Sequence, residues 1–105
     1  MTPPPAHDAT ESGYVAVADL FAALASPLRA AIVHRLTAQE HSVQELVDSL
    51  GASQPLVSQH LARLRHVGLV EGDRRGRQVV YRVVDDHVSH ILLDALHHSE
   101  HGTTA

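Results

Sequence analysis

Apolar residues recur at helical spacing in five stretches of this chain, and the breaks between them carry capping and turn residues. Val17, Leu20, Phe21 and Leu24 fall at i, i+3, i+4 and i+7, which predicts a helix over Tyr14–Ala25. Ser26-Pro27 restarts the chain, a capping hydroxyl followed by proline at the first helical position. The second helix runs to about Leu36, burying Leu28, Ile32, Val33 and Leu36 and turning Arg29 and Arg35 outward. Ser42 and Glu45 make a capping box for a short helix, Val43–Leu50, with Leu46, Val47 and Leu50 inward and Gly51 ending it. Ser53 caps the fourth helix, which has Pro55 in its first turn and reaches His66. Val57, Leu61 and Leu64 point inward there; Gln54, Ser58, Gln59 and Arg63 point outward. Gly68 closes it in the left-handed position. His34 and His41 stand alone and are expected on the surface.

The period then changes. Leu69–Gly72 and Gln78–Val84 are strand-like, and Asp73–Arg77 (DRRGR) is the expected turn between them. A hairpin directly after a helix pair is a wing, so the expected fold is mainly α with a small β-hairpin, a winged helix-turn-helix. Gln pairs with adenine edges, Ser with several bases, and Arg with guanine or phosphate. Ser53, Gln54, Ser58, Gln59 and Arg63 on the helix, with Arg74, Arg75 and Arg77 at the wing tip, are therefore the candidate contacts to duplex DNA.

The last stretch, Asp85–His101, holds five of the ten histidines and four acids. Val88, Ile91, Leu92, Ala95 and Leu96 form the apolar stripe of an amphipathic helix. His87 and His98, eleven residues apart, leave such a helix in nearly the same direction but roughly 16 Å apart along its axis. A metal with ligand bonds of about 2 Å cannot be held by both within one chain. Two such helices lying antiparallel bring Asp85 and His87 of one protomer to His98 and His101 of its partner. That gives three imidazoles and a carboxylate, a four-coordinate set occurring twice in a homodimer. A second stripe, His90, Asp94, His97 and His101, offers an intrachain alternative, and a solvated polar face is the ordinary reading of both.

At 105 residues the chain is one domain, expected over 14–101, with a Pro-rich disordered arm before it (1–13, carrying His7) and a frayed tail at 102–105. It has no cysteine, which excludes disulfides and thiolate sites. Any metal must take nitrogen and oxygen ligands, which favours zinc, cobalt or nickel. There is no signal-peptide pattern and no apolar run near the ~20 residues that span a membrane, so a cytoplasmic location without membrane or small organic partners is expected. The net charge of −4 hides a partition: between Ser53 and Arg82 lie six arginines against Glu71 and Asp73. A basic middle between acidic ends suits a local phosphate-binding surface.

The segments ALASPLRAAIVHRL, VQELVDSLGASQPLVSQHLARLRHVGLV, GDRRGRQVVYRV and DDHVSHILLDALHHSEH resemble the ArsR/SmtB family of metal-sensing winged-helix repressors, over about Leu20–His101. The spacing Asp-x-His-(x10)-His-x-x-His, met by Asp85, His87, His98 and His101, is similar to the last-helix site of the family's zinc, cobalt and nickel sensors. The resemblance implies a repressor that holds its operator as an apo homodimer and is released by metal, with zinc the first expectation. It implies no enzymatic activity, and no His-Glu-x-x-His or evident general base stands against that. Other readings share part of the pattern: a metal-storage protein, which leaves the arginine wing without a purpose; a zinc hydrolase; and a winged-helix regulator answering a signal other than metal.

Overall fold

The computed structural model describes residues 10–102, with side chains as far as Glu100. His7, most of the expected arm, the side chain of His101 and the final three residues lie outside the described residues. The elements run α1 (Glu11–Leu24), α2 (Pro27–Ala38), β1 (His41–Ser42), α3 (Val43–Leu50), α4 (Gln54–His66), β2 (Val70–Arg75), β3 (Gln78–Val83) and α5 (Asp86–Gly102). α1 begins three residues before the expected Tyr14, because the Thr10 hydroxyl accepts the Gly13 N–H at 3.2 Å and caps an earlier turn. α2 starts where Ser26 accepts the Arg29 N–H, with Pro27 at the first position, and its axis turns by 95° from that of α1. None of the described helices is, by itself, long and apolar enough to cross a membrane.

Local chemistry sets the helix-turn-helix. Ser42 is 2% exposed; its hydroxyl accepts the Glu45 N–H at 3.1 Å, while the Glu45 carboxylate accepts the Ser42 N–H at 2.8 Å. This reciprocal cap satisfies two otherwise orphaned donors at the start of α3. Gly51 and Ser53 end α3 and begin α4 within four residues. At the far end of α4 the Leu69 N–H reaches the Leu64 carbonyl at 2.9 Å and the Gly68 N–H reaches Arg65 at 3.0 Å. That pair of bonds is a Schellman motif, and it requires the φ of +79° that Gly68 adopts. The helix is thereby turned straight into the wing, with Leu69 buried behind it.

The wing differs from expectation in two ways. The hairpin is part of a three-stranded antiparallel sheet of order β1-β3-β2, in which His41 and Ser42 pair with Tyr81 and Val80. Two residues are too few to show alternation in a sequence, so β1 was not expected. The turn is also shorter than Asp73–Arg77. β2 runs on to Arg75, which pairs with Gln78, leaving only Gly76 and Arg77 as the loop, with Gly76 at φ +65°. Asp73, Arg74 and Arg75 look like turn residues but belong to the strand, where they pair with Val80, Val79 and Gln78, and the charges of Asp73 and Arg75 are met by Arg82 and Glu40.

The core comprises Ala23, Ile32, Val33, Leu36, Leu46, Val57, Leu61, Leu64, Leu69, Val70, Val88 and Leu92. The expected inner faces of α2, α3 and α4 are there, with Leu28, Val47 and Leu50 half-buried beside them. The stripe of α1 is split: Leu20 and Leu24 are half-buried against the core, while Val17 and Phe21 are 52% and 55% exposed. α5 divides its stripe, sending Val88 and Leu92 into the core while Ile91, Ala95 and Leu96 line an apolar groove with Phe21 and Leu24. Leu61→Ala should lower the unfolding free energy by about 2–5 kcal/mol through the cavity it leaves. Ser42→Ala should cost roughly 0.5–2 kcal/mol through the lost cap. Urea unfolding measures both, and a Leu61 variant as stable as the parent contradicts this core.

Candidate nucleic-acid interface and metal-ligating helix

α3 and α4 form the helix pair, and the outer face of α4 carries Ser53, Gln54, Ser58, Gln59 and Arg63, all exposed. Ser53 has a prior structural duty, since its hydroxyl accepts the Leu56 N–H and caps the helix. Gln54 and Ser58 face a cleft of about 350 Å³ whose opposite wall is the wing, with Arg77, Gln78, Val79 and Tyr81. Gln44, at the start of α3, closes its end. Among the described residues no carboxylate lines this cleft; amide, hydroxyl and guanidinium groups do. Gln44 and Tyr81 were not expected here, because their place depends on how β3 packs against the helix pair.

The wing arginines are not equivalent. In the paired register Arg74 lies opposite Val79 and two residues from the Gly72–Tyr81 pair, so it shares the sheet face that lines the cleft. Arg75 points to the other face. There its Nη1 donates to Glu40 Oε1 at 2.8 Å, and its Nη2 lies 3.8 Å from Asp73. Arg82 donates to Asp73 at 2.5 Å and to Glu71 at 2.7 Å on the same face. Two arginines thus meet three carboxylates, Glu40, Asp73 and Glu71. The bond from Arg75 holds the Glu40 carboxyl below its usual range, and Glu40 in turn raises Arg75. Arg82 is raised chiefly by its bond to Asp73. All these groups lie partly in water, so the network orients side chains more than it stabilises the fold. Arg74 and Arg77 are left outside these ion pairs.

Three side chains expected on the outside make further contacts. His41 places its Nδ1 2.9 Å from the Gln39 carbonyl. Arg35 donates to the Ser49 hydroxyl at 2.7 Å, joining α2 to α3. Arg29, expected outward, is drawn in among three helices: its Nε donates to the Ala23 carbonyl at 2.6 Å, and its Nη1 lies 3.2 Å from His60 Nδ1.

On α5 the candidate ligands sit at the two ends. Asp85 Oδ1 accepts the Val88 N–H at 3.2 Å, capping the helix, and His87 Nδ1 lies 3.6 Å from the same oxygen. His87 is almost fully exposed, its side chain 90% accessible, and His98 is exposed near the other end. At 100° per residue, His87, Ile91 and His98 lie within about 40° of one another around α5, so the two imidazoles border the apolar groove that Ile91 lines. Among the described residues no three His, Asp or Glu side chains converge to hold an ion. His90, Asp94 and His97 are therefore not gathered into a site, and Asp85, His87 and His98 are not gathered within one chain. As donors the imidazole–carboxylate pair at one end and the imidazole at the other suit halves of a nitrogen–oxygen site.

The chain belongs to the ArsR/SmtB family. The pattern described as bacterial regulatory protein, arsR family, matches residues 26–72, which carry the helix pair and the start of the wing. The HTH-type transcriptional repressor SmtB of Mycobacterium tuberculosis is 51% identical over 84 residues, 80% of this chain and 62% of that protein. The HTH-type transcriptional regulator NmtR of the same organism is 44% identical over 85 residues, 81% of this chain and 71% of its own length. This chain thus spans less than two thirds of the SmtB relative. In solved structures, a homodimeric winged helix-turn-helix DNA-binding domain from Mycobacterium bovis superposes with a TM-score of 0.81 at 25% identity, covering 95% of this chain and 91% of that one. The family is one of transcriptional regulators, and the winged-helix architecture read from the sequence is the one observed.

The uneven commitment of the wing arginines has a measurable consequence in duplex binding followed by fluorescence anisotropy across a salt series. Arg77→Ala should flatten the dependence of log K on log salt by about 0.9, the slope for one phosphate contact. Arg75→Ala should flatten it less, and Glu40→Gln, which frees Arg75, should steepen it. Equal effects of the two arginine variants would mean that the Glu40 pair yields to DNA.

Proposed function

We propose that this protein is a metal-responsive transcriptional repressor that holds operator DNA as an apo homodimer and is released when metal binds between its last helices. The observation that carries this reading is the placement of His87 and His98 on one edge of α5, beside a groove of Phe21, Leu24, Ile91, Ala95 and Leu96. The exposed apolar face of α1 adjoins it, and a second copy covering that surface antiparallel would remove Val17 and Phe21 from water. In that arrangement Asp85 and His87 of one protomer meet His98 and His101 of its partner. The similarity to SmtB and the homodimeric state of the Mycobacterium bovis neighbour support it.

Zinc is the proposed effector, with cobalt and nickel as alternatives that use the same nitrogen and oxygen donors. A bound divalent cation would supply positive charge and fixed ligand angles at each end of the helix pair. The chain's own residues do the rest. Asp85 holds the start of α5 through the Val88 N–H, and His87 stands against it. Gln54, Ser58, Gln59 and Arg63 read and flank the major groove, Ser53 fixes the start of that helix, and Arg74 and Arg77 meet phosphate or the minor groove. Such a protein works on the cytoplasmic chromosome.

Titrating the protein–operator complex with zinc, cobalt and nickel in turn should release the DNA at about one metal per protomer. Release by none of them would leave a winged-helix regulator answering another signal. Mixed dimers test the bridging. His87→Ala and His98→Ala homodimers should each lose both sites. A heterodimer of the two should regain one, because intact His87 then faces intact His98. Variants that keep full metal binding would place the site on His90, Asp94, His97 and His101 instead; variants that fail and do not complement would end the bridging geometry.

A further inference from the structure

One guanidinium joins three helices. Arg29 of α2 donates from Nε to the Ala23 carbonyl at 2.6 Å and from Nη2 to the Ala22 carbonyl at 3.4 Å, both in the last turn of α1. Its Nη1 lies 3.2 Å from His60 Nδ1 on α4, the helix with the outward Gln and Ser side chains. The carbonyls of a helix's last turn have no partners within the helix, and a cation there also meets the negative end of the helix dipole. Ala23 is the fully buried residue of α1, so the clasp lies where α1 is most firmly seated.

Arginine carries only donors, so the Arg29–His60 contact requires a lone pair on His60 Nδ1. His60 must then be neutral, with its proton on Nε2. We propose that Arg29 is a positioning residue that, through neutral His60, fixes α4 relative to the end of α1 and so ties the DNA-reading helix to the α1–α5 face. This rests on the proposed function, in which that face is the subunit interface and α4 reads the operator. A protonated His60 would turn a second donor toward the guanidinium and break the contact. Burial, then the charges of Arg29 on α2 and Arg63 on its own helix, all lower its pKa below the ordinary 6.5. The α1 groups bonded in this cluster are the backbone carbonyls of Ala22 and Ala23. The contact is therefore complete above about pH 6.5 and is lost as pH falls through the depressed value.

The test uses the full chain freed of metal by chelation. Arg29→Gln should weaken operator binding about tenfold, the scale of one hydrogen bond to a charged group. It should leave affinity for an unrelated duplex and the salt slope unchanged, because Arg29 meets no phosphate. His60→Asn, which keeps an acceptor near the Nδ1 position, should bind like the parent at pH 7.5 and lose less affinity on acidification. In the parent protein, ¹⁵N NMR should show His60 as the Nε2–H tautomer. A flattened salt slope for Arg29→Gln, unchanged operator affinity, or an Nδ1–H tautomer would each overturn the proposal. If Arg29→Gln does not fold, the tautomer and the His60→Asn pH profile decide. A parent protein that binds no duplex would sink the repressor reading, while the tautomer would still report on the Arg29–His60 contact.

Discussion

α4 buries Val57, Leu61 and Leu64 completely, and with that face turned inward its opposite face is left outward. The three side chains pack among Ile32 and Leu36 of α2, Leu46 of α3 and Leu69 and Val70 at the base of the wing. Because helical side chains recur every 3.6 residues, fixing the apolar stripe fixes the direction of Gln54, Ser58 and Gln59 as well. The same packing sets the wing, since Leu69 is both the last bond of the Schellman turn and part of the core. α4 and the wing are therefore held at one angle by a single body of aliphatic contacts.

Charge is arranged on top of this frame. The whole chain is acidic, with twelve Asp and Glu against eight arginines, yet among the described residues no carboxylate lines the cleft between α4 and the wing. The acids of the wing are spent on its back face, where Glu40, Asp73 and Glu71 engage Arg75 and Arg82. Strand alternation makes this separation possible: neighbours in sequence such as Arg74 and Arg75 face opposite ways.

What the sequence revealed, and what it hid, follows the range of the interactions. Capping at Ser26, Ser42 and Ser53 and the closure at Gly68 act within a few residues, and all were legible. The inner faces of α2, α3 and α4 were legible because periodicity carries them. Contacts across long stretches were not. Glu40 and Arg75 are 35 residues apart, and Arg29 and His60 are 31 apart, so nothing local marked either pair. The apolar stripe of α1 was visible, but a stripe that faces a neighbouring helix and one that faces open solvent have the same spacing. Only the three-dimensional structure separates Ala23, buried, from Phe21, exposed. The candidate ligands on α5 were legible as directions on a helix, and the structure brings no three of them together within the described chain.

The two-residue loop of Gly76 and Arg77 leaves the wing without slack. A one-residue insertion in β2, an edge strand, must be taken up by a bulge, by a longer loop or by a slip of register. The slip would exchange the two sheet faces, carrying Arg74 toward Glu40 and Arg75 into the cleft. Which arginine faces the cleft therefore depends on the length of β2 as well as on its composition.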